Sequence, residues 1–589
     1  MNLNPEQQIG VDSSGDTVVT ACPGSGKTRV LTARIIKGAT ELQSTRERAV
    51  ALTFTNRAAD EIRTRLDQKG IPKNQVWAGT THSFALEWIL RPYAPYANQI
   101  RYGFTVADEY YCGRLLREIK KELKLNAFLE INTVYGRNGT IINPCKKTRQ
   151  ALSLYKEALN NDKLIDYDEV LYLAYQLLTE NPEIPANLAQ IVRLICVDEV
   201  QDIQDLQYAL LSQIYTGAFS KPKMFFVGDT NQSIYESLGA LTKSPEEIAS
   251  EFNMGKIQHV ELVGNYRSTQ RIIDFCGEIS PKVLQGESRV ENPDESGLIT
   301  FENQVIDKDA IHLRISELIN LNLDAGVPES EICVVAPQWE HLKTVARQLV
   351  ENMPNVNFDA PGLSPFYRTR DSIWFNLVRL FLTEPEPHRI RSRIRWANEF
   401  IVNLELLHGS KLADTISSAR RLIRLTNQLK STESEGIPYL RDLFGQFLNK
   451  AEISIEDSSK LYDSYNYFFE TAEKQLSENS GSIPKSVESF RKLFCYPSGI
   501  VINTCHGVKG EEYETVIAFG LLRGQVPNWN VIIHGTAIEA DRQEAKLLYV
   551  VASRAKRHLH LIAERGRRTK GGKAYETASL LNRIQFDYD

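Results

Sequence analysis

The stretch Ala21-Cys22-Pro23-Gly24-Ser25-Gly26-Lys27-Thr28 constrains this chain more than any other. It follows the β-branched run Thr17–Thr20 and precedes the helix-compatible Arg29–Lys37, the strand, loop and helix order that a phosphate-binding loop requires. Glycines let backbone amides approach a phosphate, and the helix amino terminus adds partial positive charge. Lys27 can reach the β- and γ-phosphates of a nucleotide, and the Thr28 hydroxyl can ligate Mg²⁺. Ala21 stands where the pattern G-x-x-x-x-G-K-T begins with glycine, which leaves the turn from Gly24 to Thr28 intact.

A phosphate loop that hydrolyses its ligand needs carboxylates at the end of a neighbouring strand. The apolar run Leu194–Val197 leads into Asp198-Glu199-Val200-Gln201-Asp202. Asp198 can hold Mg²⁺ through water, and Glu199 can polarise an attacking water. An acidic turn after a strand is by itself an ordinary solvated cap; beside a phosphate loop it points to triphosphate chemistry. A third run, Lys223–Val227, enters Gly228-Asp229-Thr230-Asn231-Gln232-Ser233-Ile234-Tyr235, where the Gln232 amide can both donate to and accept from a γ-phosphate and its water.

The 589 residues suggest about four domains at roughly 150 residues each. A hydrophobic fraction of 42% and a charged fraction of 24% exclude collagen-like and largely disordered chains. Further strand-like runs at Ala49–Phe54, His259–Val263, Ile332–Ala336 and Gly499–Asn503 alternate with helical patterns, which predicts a parallel α/β architecture. Between Phe84 and about Pro185, and again between about Arg370 and Phe494, the spacing turns helical, as at Tyr110–Leu125 and Gln150–Leu159. Two α/β cores, each with a mostly helical insertion, follow from this alternation.

The net charge of −5 carries no bulk field for a nucleic acid, so any such contact must be local. The amino terminus has no signal-peptide pattern, and no apolar run approaches the ~18 residues that cross a bilayer, so a cytoplasmic protein with no membrane partner is expected. Eight cysteines are scattered without a C-x-x-C pair, against a disulfide scaffold or structural zinc.

Further motifs run in order along both cores: Leu3-Asn4-Pro5-Glu6-Gln7, Thr53-Phe54-Thr55-Asn56-Arg57-Ala58-Ala59 and Gly79-Thr80-Thr81-His82-Ser83. Asp166-Tyr167-Asp168-Glu169-Val170-Leu171 precedes the acidic motif, and Asn265-Tyr266-Arg267-Ser268 follows the third strand. Near the carboxyl terminus come Thr504-Cys505-His506-Gly507-Val508-Lys509-Gly510-Glu511-Glu512 and Leu548-Tyr549-Val550-Val551-Ala552-Ser553-Arg554-Ala555-Lys556. The ordered set resembles the UvrD/Rep/PcrA-like helicases of superfamily 1.

That resemblance implies two RecA-like P-loop motor cores with parallel sheets. The first core comprises residues 1–85 and 186–262 around an insertion at 86–185; the second comprises 263–369 and 496–589 around an insertion at 370–495. It implies an ATP hydrolase that uses ATP and Mg²⁺ to move on single-stranded DNA, 3′ to 5′, and to open duplexes at ssDNA–dsDNA junctions. Lys27, Glu199, Gln232, Arg267 and Arg554 are the implied catalytic residues, the two arginines meeting the γ-phosphate from the second core. Ala21, Cys22, Pro23, Gly24, Ser25, Gly26, Lys27, Thr28 and Arg29 would surround the nucleotide phosphates. Gln7 would read adenine, Tyr266 would stack on it, and Glu512 would contact ribose. Thr28 and Asp198 would hold the metal, while Phe54, His82, Tyr235, Thr504 and His506 would touch DNA.

Departures from the family pattern motivate an alternative. The Tyr235-Glu236-Ser237-Leu238-Gly239-Ala240 stretch lacks the usual aromatic and arginine after the tyrosine, and Ala336-Pro337-Gln338-Trp339 replaces a Y-R-T-N-like stretch, with Trp339 as a substitute stacking face. With no nuclease segment after the last motif, the alternative is a DNA-sensing ATPase subunit that regulates a partner nuclease in anti-phage defence, resembling the helicase component of two-subunit systems such as Gabija. In the second insertion, Arg389, Arg391, Arg393 and Arg395 recur every two residues, followed by Arg420, Arg421, Arg424 and Lys430. They form either a duplex-phosphate contact or a solvated basic face paired with the acids near Glu384 and Glu386. The stretch Arg565-Gly566-Arg567-Arg568-Thr569-Lys570 reads as an exposed basic turn.

Overall fold

Strands whose every residue is apolar must be covered on both faces, and the first half of the chain meets this requirement with a fully parallel sheet. The computed structural model describes residues 3–72, 74–107, 109–126, 129, 131–142, 148–217, 221–235, 239–280, 286–291, 297–307, 309–360, 366, 373–408, 416–478, 485–492, 499–569 and 571–589. They fall into two units, 1–296 with 545–553, and 297–544 with 554–589.

The sheet of the first unit contains β1 (Thr17–Ala21), β2 (Arg48–Thr53), β3 (Val76–Thr80), β4 (Val192–Val197), β5 (Lys223–Gly228) and β6 (Gln258–Leu262), in the order β3-β2-β4-β5-β1-β6. Alternate side chains pack to opposite faces. Val18, Val50, Leu52, Ile195, Val197, Met224 and Phe226 enter one core, whereas Val19, Ala49, Ala51, Leu194, Cys196, Phe225 and Val227 enter the other. Helix α1 (Pro5–Asp12) starts with a capping box in which Asn4 and Gln7 satisfy each other's backbone amides. Helix α2 (Lys27–Thr40) leaves directly from β1. Between β3 and β4 lie Glu109–Glu122, Arg149–Asn161, α3 (Tyr167–Glu180) and Glu183–Ile191. The strand pair β7 (Gly264–Asn265) and β8 (Glu287–Ser288) is a small parallel sheet of its own.

The second unit repeats the plan with β9 (Ile299–Glu302), β10 (Ile332–Ala336), β11 (Phe358–Asp359), β12 (Ile500–Thr504), β13 (Tyr513–Ala518) and β14 (Ala555–Ile562), all parallel, in the order β9-β14-β13-β10-β12-β11. Among the described residues, six α-helices, from Ile373–Leu382 to Val487–Lys492 and including α4 (Ile390–His408), stand between β11 and β12 around Trp374, Phe400, Phe444 and Phe469. Among the described residues, no helix is long and apolar enough to cross a membrane.

The strand-like runs of the sequence all form strands, within a residue or two of their expected ends. The helix expected at Tyr110–Leu125 ends at Glu122 because Lys124 turns left-handed at φ 51°, which lets the Leu125 amide reach back to the Lys120 carbonyl at 2.8 Å. Residues 264–280 and 286–291, which the motif order assigns to the second core, make their contacts in the first unit. The Tyr266 amide donates to the Gly24 carbonyl at 2.9 Å, and Arg289 pairs with Glu6 at 2.7 Å.

Arginines at two-residue spacing on a helix do not share a face, because residues i and i+2 point to different sides; the Arg391 side chain lies outside the described ones. Arg393 on α4 is fully buried, with its guanidinium donating to the carbonyls of Leu380 and Thr383, the Thr383 hydroxyl and the Asn427 amide oxygen. It ties helix ends together in the insertion core and meets no phosphate. Arg389 pairs with Glu386 at 2.9 Å and Arg395 with Glu399 at 3.7 Å. Arg420, Arg421 and Arg424, by contrast, are all exposed along Ala419–Gln428. In the carboxyl-terminal basic turn Arg567 is likewise not exposed: it pairs with buried Glu564 at 2.9 Å and contacts His341. Lys570 lies outside the described residues.

Replacing Arg393 with Met strands these acceptors without water. Urea denaturation of Arg393→Met is expected to show a loss of about 2–4 kcal/mol in the transition of the second unit; a loss below about 0.5 kcal/mol would place the residue outside the core network.

Candidate active site

The parallel pairing of β1 with β5, and of β5 with β4, brings three strand ends side by side on one edge of the first sheet. Ligands of parallel α/β sheets bind at such carboxyl edges. The loop after β1 is a tight cradle. Ser25 Oγ donates to the Cys22 carbonyl at 2.8 Å, and the loop is closed by two left-handed glycines, Gly24 at φ 71° and Gly26 at φ 84°. A Cβ on Gly24 would lie 2.4 Å from Asn265 Oδ1, and one on Gly26 would lie 2.9 Å from Gln7 Nε2. Only glycine fits either place. Gly26 is also the N-cap of α2 and offers no side-chain cap, so the first-turn amides of the helix gain no cap hydrogen bond from it.

Lys27 projects from this helix to within 4.0 Å of Asp229 Oδ2 after β5. The Asp198 carboxylate follows β4, is 6% exposed, and accepts the Glu199 amide at 3.1 Å. Burial, then the neighbouring Glu199 charge, push the Asp198 carboxyl up to about 7, and burial raises Asp229 as well, while Lys27 opposes both shifts. Two buried acids beside one ammonium make a site that favours a further cation. Glu199 sits at φ 49°, a left-handed conformation that costs a non-glycine residue energy and aims its side chain out of the strand direction.

Gln201, in the same acidic motif, joins these groups. Its Oε1 accepts the Asp229 amide at 3.0 Å, and its Nε2 donates to the Glu199 carboxylate. Gln232 Nε2 donates to Asp229 Oδ2 at 2.8 Å, so the expected phosphate sensor is held on the lysine's partner. Asn265 Oδ1 accepts the amides of Arg267 and Ser268 at 2.7 and 2.9 Å, and Arg267 donates from its guanidinium to the Ser553 carbonyl at 3.0 Å. A cavity of about 500 Å³ opens here, with Cys22, Pro23, Asn231, Asn265, Tyr549 and Ser553 on its wall.

Gln7 is 1% exposed; its Nε2 donates to the Ser25 carbonyl at 2.8 Å, and its Oε1 accepts the Asn4 amide at 3.1 Å. A glutamine amide has two donors and two acceptor lone pairs, so one of each is left for a base. Tyr266 is 43% exposed, with its hydroxyl accepting from Asn4 Nδ2 at 2.7 Å. The Arg29 side chain is exposed at the start of α2.

On the other side of the acidic turn the rings gather. Phe54 stacks on Tyr235 with centroids 4.8 Å apart, and His82 stacks on Tyr167 at 4.0 Å. A cavity of about 230 Å³ is lined by these four rings together with Asp198 and Glu199. The carboxylates therefore face the phosphate loop from one side and the aromatic cleft from the other. Tyr167, within the Asp166–Leu171 motif, stands at the first position of α3 just after the Asp166 cap, and that place is the sequence signal that it projects outward. Burial lowers His82 to about 4. The departures at Glu236, Ser237 and Leu238 lie outside the described residues.

The remaining candidates belong to the second unit. Thr504 ends β12, its hydroxyl accepting the Gly507 amide at 3.0 Å, and His506 is exposed in the turn that follows. Glu512 is exposed just before β13. Arg554 is 1% exposed and donates to the Glu511 carbonyl at 3.0 Å, linking the end of that turn to the start of β14.

Residues 3–253 match the model of the UvrD/REP helicase N-terminal domain, and residues 485–566 match that of the UvrD-like helicase C-terminal domain, together more than half of the chain. The chain is similar to the ATP-dependent DNA helicase PcrA of Leuconostoc citreum, at 23% identity over 630 residues covering 95% of this chain and 81% of that protein. It is 25% identical to DNA helicase II of Escherichia coli strain K12 over 658 residues, covering 98% and 86% of the two chains. The ATP-dependent DNA helicase Rep of the same strain is 24% identical over 638 residues, covering 97% of this chain and 92% of its own.

His82 should stay neutral through the physiological range. Because its folded pKa lies below the unfolded value, its contribution to stability is present above pH ~6.5 and lost as pH falls towards 4. A histidine NMR titration is expected to place its midpoint near 4, and Tyr167→Ala, which opens the covered face, to move it towards 6.5; a wild-type midpoint near 6.5 would contradict the buried stack.

Proposed function

We propose that this chain, which belongs to the UvrD/Rep/PcrA-like DNA helicase family, couples ATP hydrolysis to movement along single-stranded DNA, 3′ to 5′, and to duplex opening. The observation that carries the reading is the position of Asp198 and Glu199, which line the aromatic cleft while standing one strand end away from Asp229, the partner of Lys27.

The residues present fit a magnesium nucleotide. Neither glycine of the cradle tolerates a Cβ, the α2 amino terminus faces the loop, and burial raises both acids, which a further cation would bring back down. Thr28 and Asp198 are the proposed metal ligands, the ion supplying charge neutralisation at the β- and γ-phosphates when bound. Lys27 would shift from Asp229 to phosphate. Glu199, held by Gln201, would take a proton from the attacking water, and Gln232 would orient that water or the γ-phosphate. Arg267 would neutralise charge at the γ-phosphate; the roles of Arg554 and Glu512 rest on their motif positions alone.

Base stacking is worth about 1–3 kcal/mol per base and tolerates any sequence, which suits the Phe54–Tyr235 and His82–Tyr167 pairs to a strand that must slide. Thr504 and His506 are proposed as further strand contacts on the second unit. Because neither stack adds a cation, grip should come from rings and backbone more than from charge.

Strand displacement on partial duplexes tests the direction and the motor together. Unwinding is expected with a 3′ overhang, at least tenfold above a 5′ overhang, and Lys27→Ala should abolish it. Equal unwinding from both overhangs, or activity surviving in Lys27→Ala, would reject the proposal.

A further inference from the structure

Beside the phosphate cradle, a polar latch joins the start of α1 to β7 and β8. The Asn4 side chain does two things at once: its Oδ1 accepts the Gln7 amide at 2.7 Å and its Nδ2 donates to the Tyr266 hydroxyl at 2.7 Å. Arg289, the residue after β8, donates to Glu6 Oε1 at 2.7 Å and approaches the same tyrosine hydroxyl at 3.5 Å. Glu6 in turn accepts the Val263 amide at 3.3 Å, and the Arg289 amide donates to the Asn265 carbonyl at 2.7 Å. The guanidinium lies flat against Gly264, where a Cβ would sit 2.7 Å from its Cζ. A side chain this closely accommodated, with a carboxylate on one arm and a phenol on the other, is held in one orientation.

We propose that Arg289 is a positioning residue that, with Asn4 and Glu6, holds the Tyr266 ring in the plane needed to stack on the base of the nucleotide. The proposal rests on the reading of Tyr266 as the base platform and deepens it. Tyr266 is substantially exposed and turns about its own side-chain bonds when unrestrained; fixing its hydroxyl from two sides removes that freedom before the nucleotide arrives. The same latch anchors the helix that carries Gln7, so the ring and the base-reading amide keep a constant separation. Since stacking does not distinguish purines, the latch should set how tightly a nucleotide binds, leaving the choice between adenine and guanine to Gln7.

The test is steady-state ATPase with ssDNA present, comparing Arg289→Gln, Arg289→Lys, Tyr266→Phe and the double variant Arg289→Gln/Tyr266→Phe. Arg289→Gln is expected to raise KM for ATP and for GTP about threefold to tenfold, the value of one aromatic stack, with kcat within about twofold. Arg289→Lys keeps the pair with Glu6 but loses the fork that also reaches the Tyr266 hydroxyl, so KM should rise about as much as in Arg289→Gln; a wild-type KM there would also overturn the proposal. Tyr266→Phe, which loses the Asn4 contact as well, should raise KM at least as much as Arg289→Gln, and the double variant should add nothing beyond Tyr266→Phe, because the arginine acts through the hydroxyl. An unchanged KM in Arg289→Gln, additive increases in the double variant, or a fall in kcat at constant KM would each overturn the proposal. Tyr266→Ala separates the two levels: if it leaves KM unchanged, the platform reading itself fails, whereas a raised KM there alongside a normal KM in Arg289→Gln rejects only the latch.

Discussion

The parallel hydrogen bonding of β1 between β5 and β6 is the constraint on which the first unit depends. A parallel neighbour presents its carboxyl end at the same edge, so the residues that follow Ala21, Val197 and Gly228 meet without any long loop having to carry them. Lys27, Asp198 and Asp229 are drawn together by strand order alone. An antiparallel strand in the place of β1 would send the phosphate loop to the opposite edge, away from both acids. The apolar interior that holds this order is the same one read as continuous β-branched runs, with Val18 and Val19, or Phe225 and Phe226, dividing between two cores.

Held at that edge, the acids are costly when no cation accompanies them. Burial raises both Asp198 and Asp229, and Lys27, at 4.0 Å from Asp229, opposes the trend together with hydrogen bonds from the Glu199 and Asn231 amides and the Gln232 side chain. Glu199 adds backbone strain at φ 49° and remains in position because Gln201 clasps it from one end and the Asp229 backbone from the other. Strain and unmatched charge at one place are what a site for a charged ligand looks like before the ligand arrives. The same acidic turn walls the aromatic cleft, which gives a strand between the rings a short route to the proposed hydrolytic carboxylate.

Much of this was legible in the sequence, for physical reasons that differ from residue to residue. Strands announced themselves because burial on both faces demands unbroken apolar runs, and the cradle because its glycines adopt φ values that other residues avoid. The helical insertions followed from periodicity. What periodicity missed was the third dimension of single side chains. Arg393 carries the charge of a phosphate ligand, yet the fold uses its Nη donors to satisfy helix-end carbonyls and side-chain oxygens in a core. Arg567 was read as part of an exposed turn and instead closes over Glu564. Tyr167 and His82 are 85 positions apart and share a stack that no local pattern encodes. Arg289 and Glu6 are farther apart still, and only the return of the chain to β8 beside β7 brings them within reach.

The central claim is that one acidic turn serves both a nucleotide and a DNA strand. Steady-state ATP hydrolysis with and without a single-stranded oligonucleotide, in wild type and Glu199→Gln, tests it most directly. Hydrolysis by the wild type should rise on adding the strand, and Glu199→Gln should lower the stimulated rate by about 10²–10⁴-fold while still binding nucleotide. A wild-type rate indifferent to the strand, or a Glu199→Gln variant that hydrolyses as fast as the wild type, would contradict it.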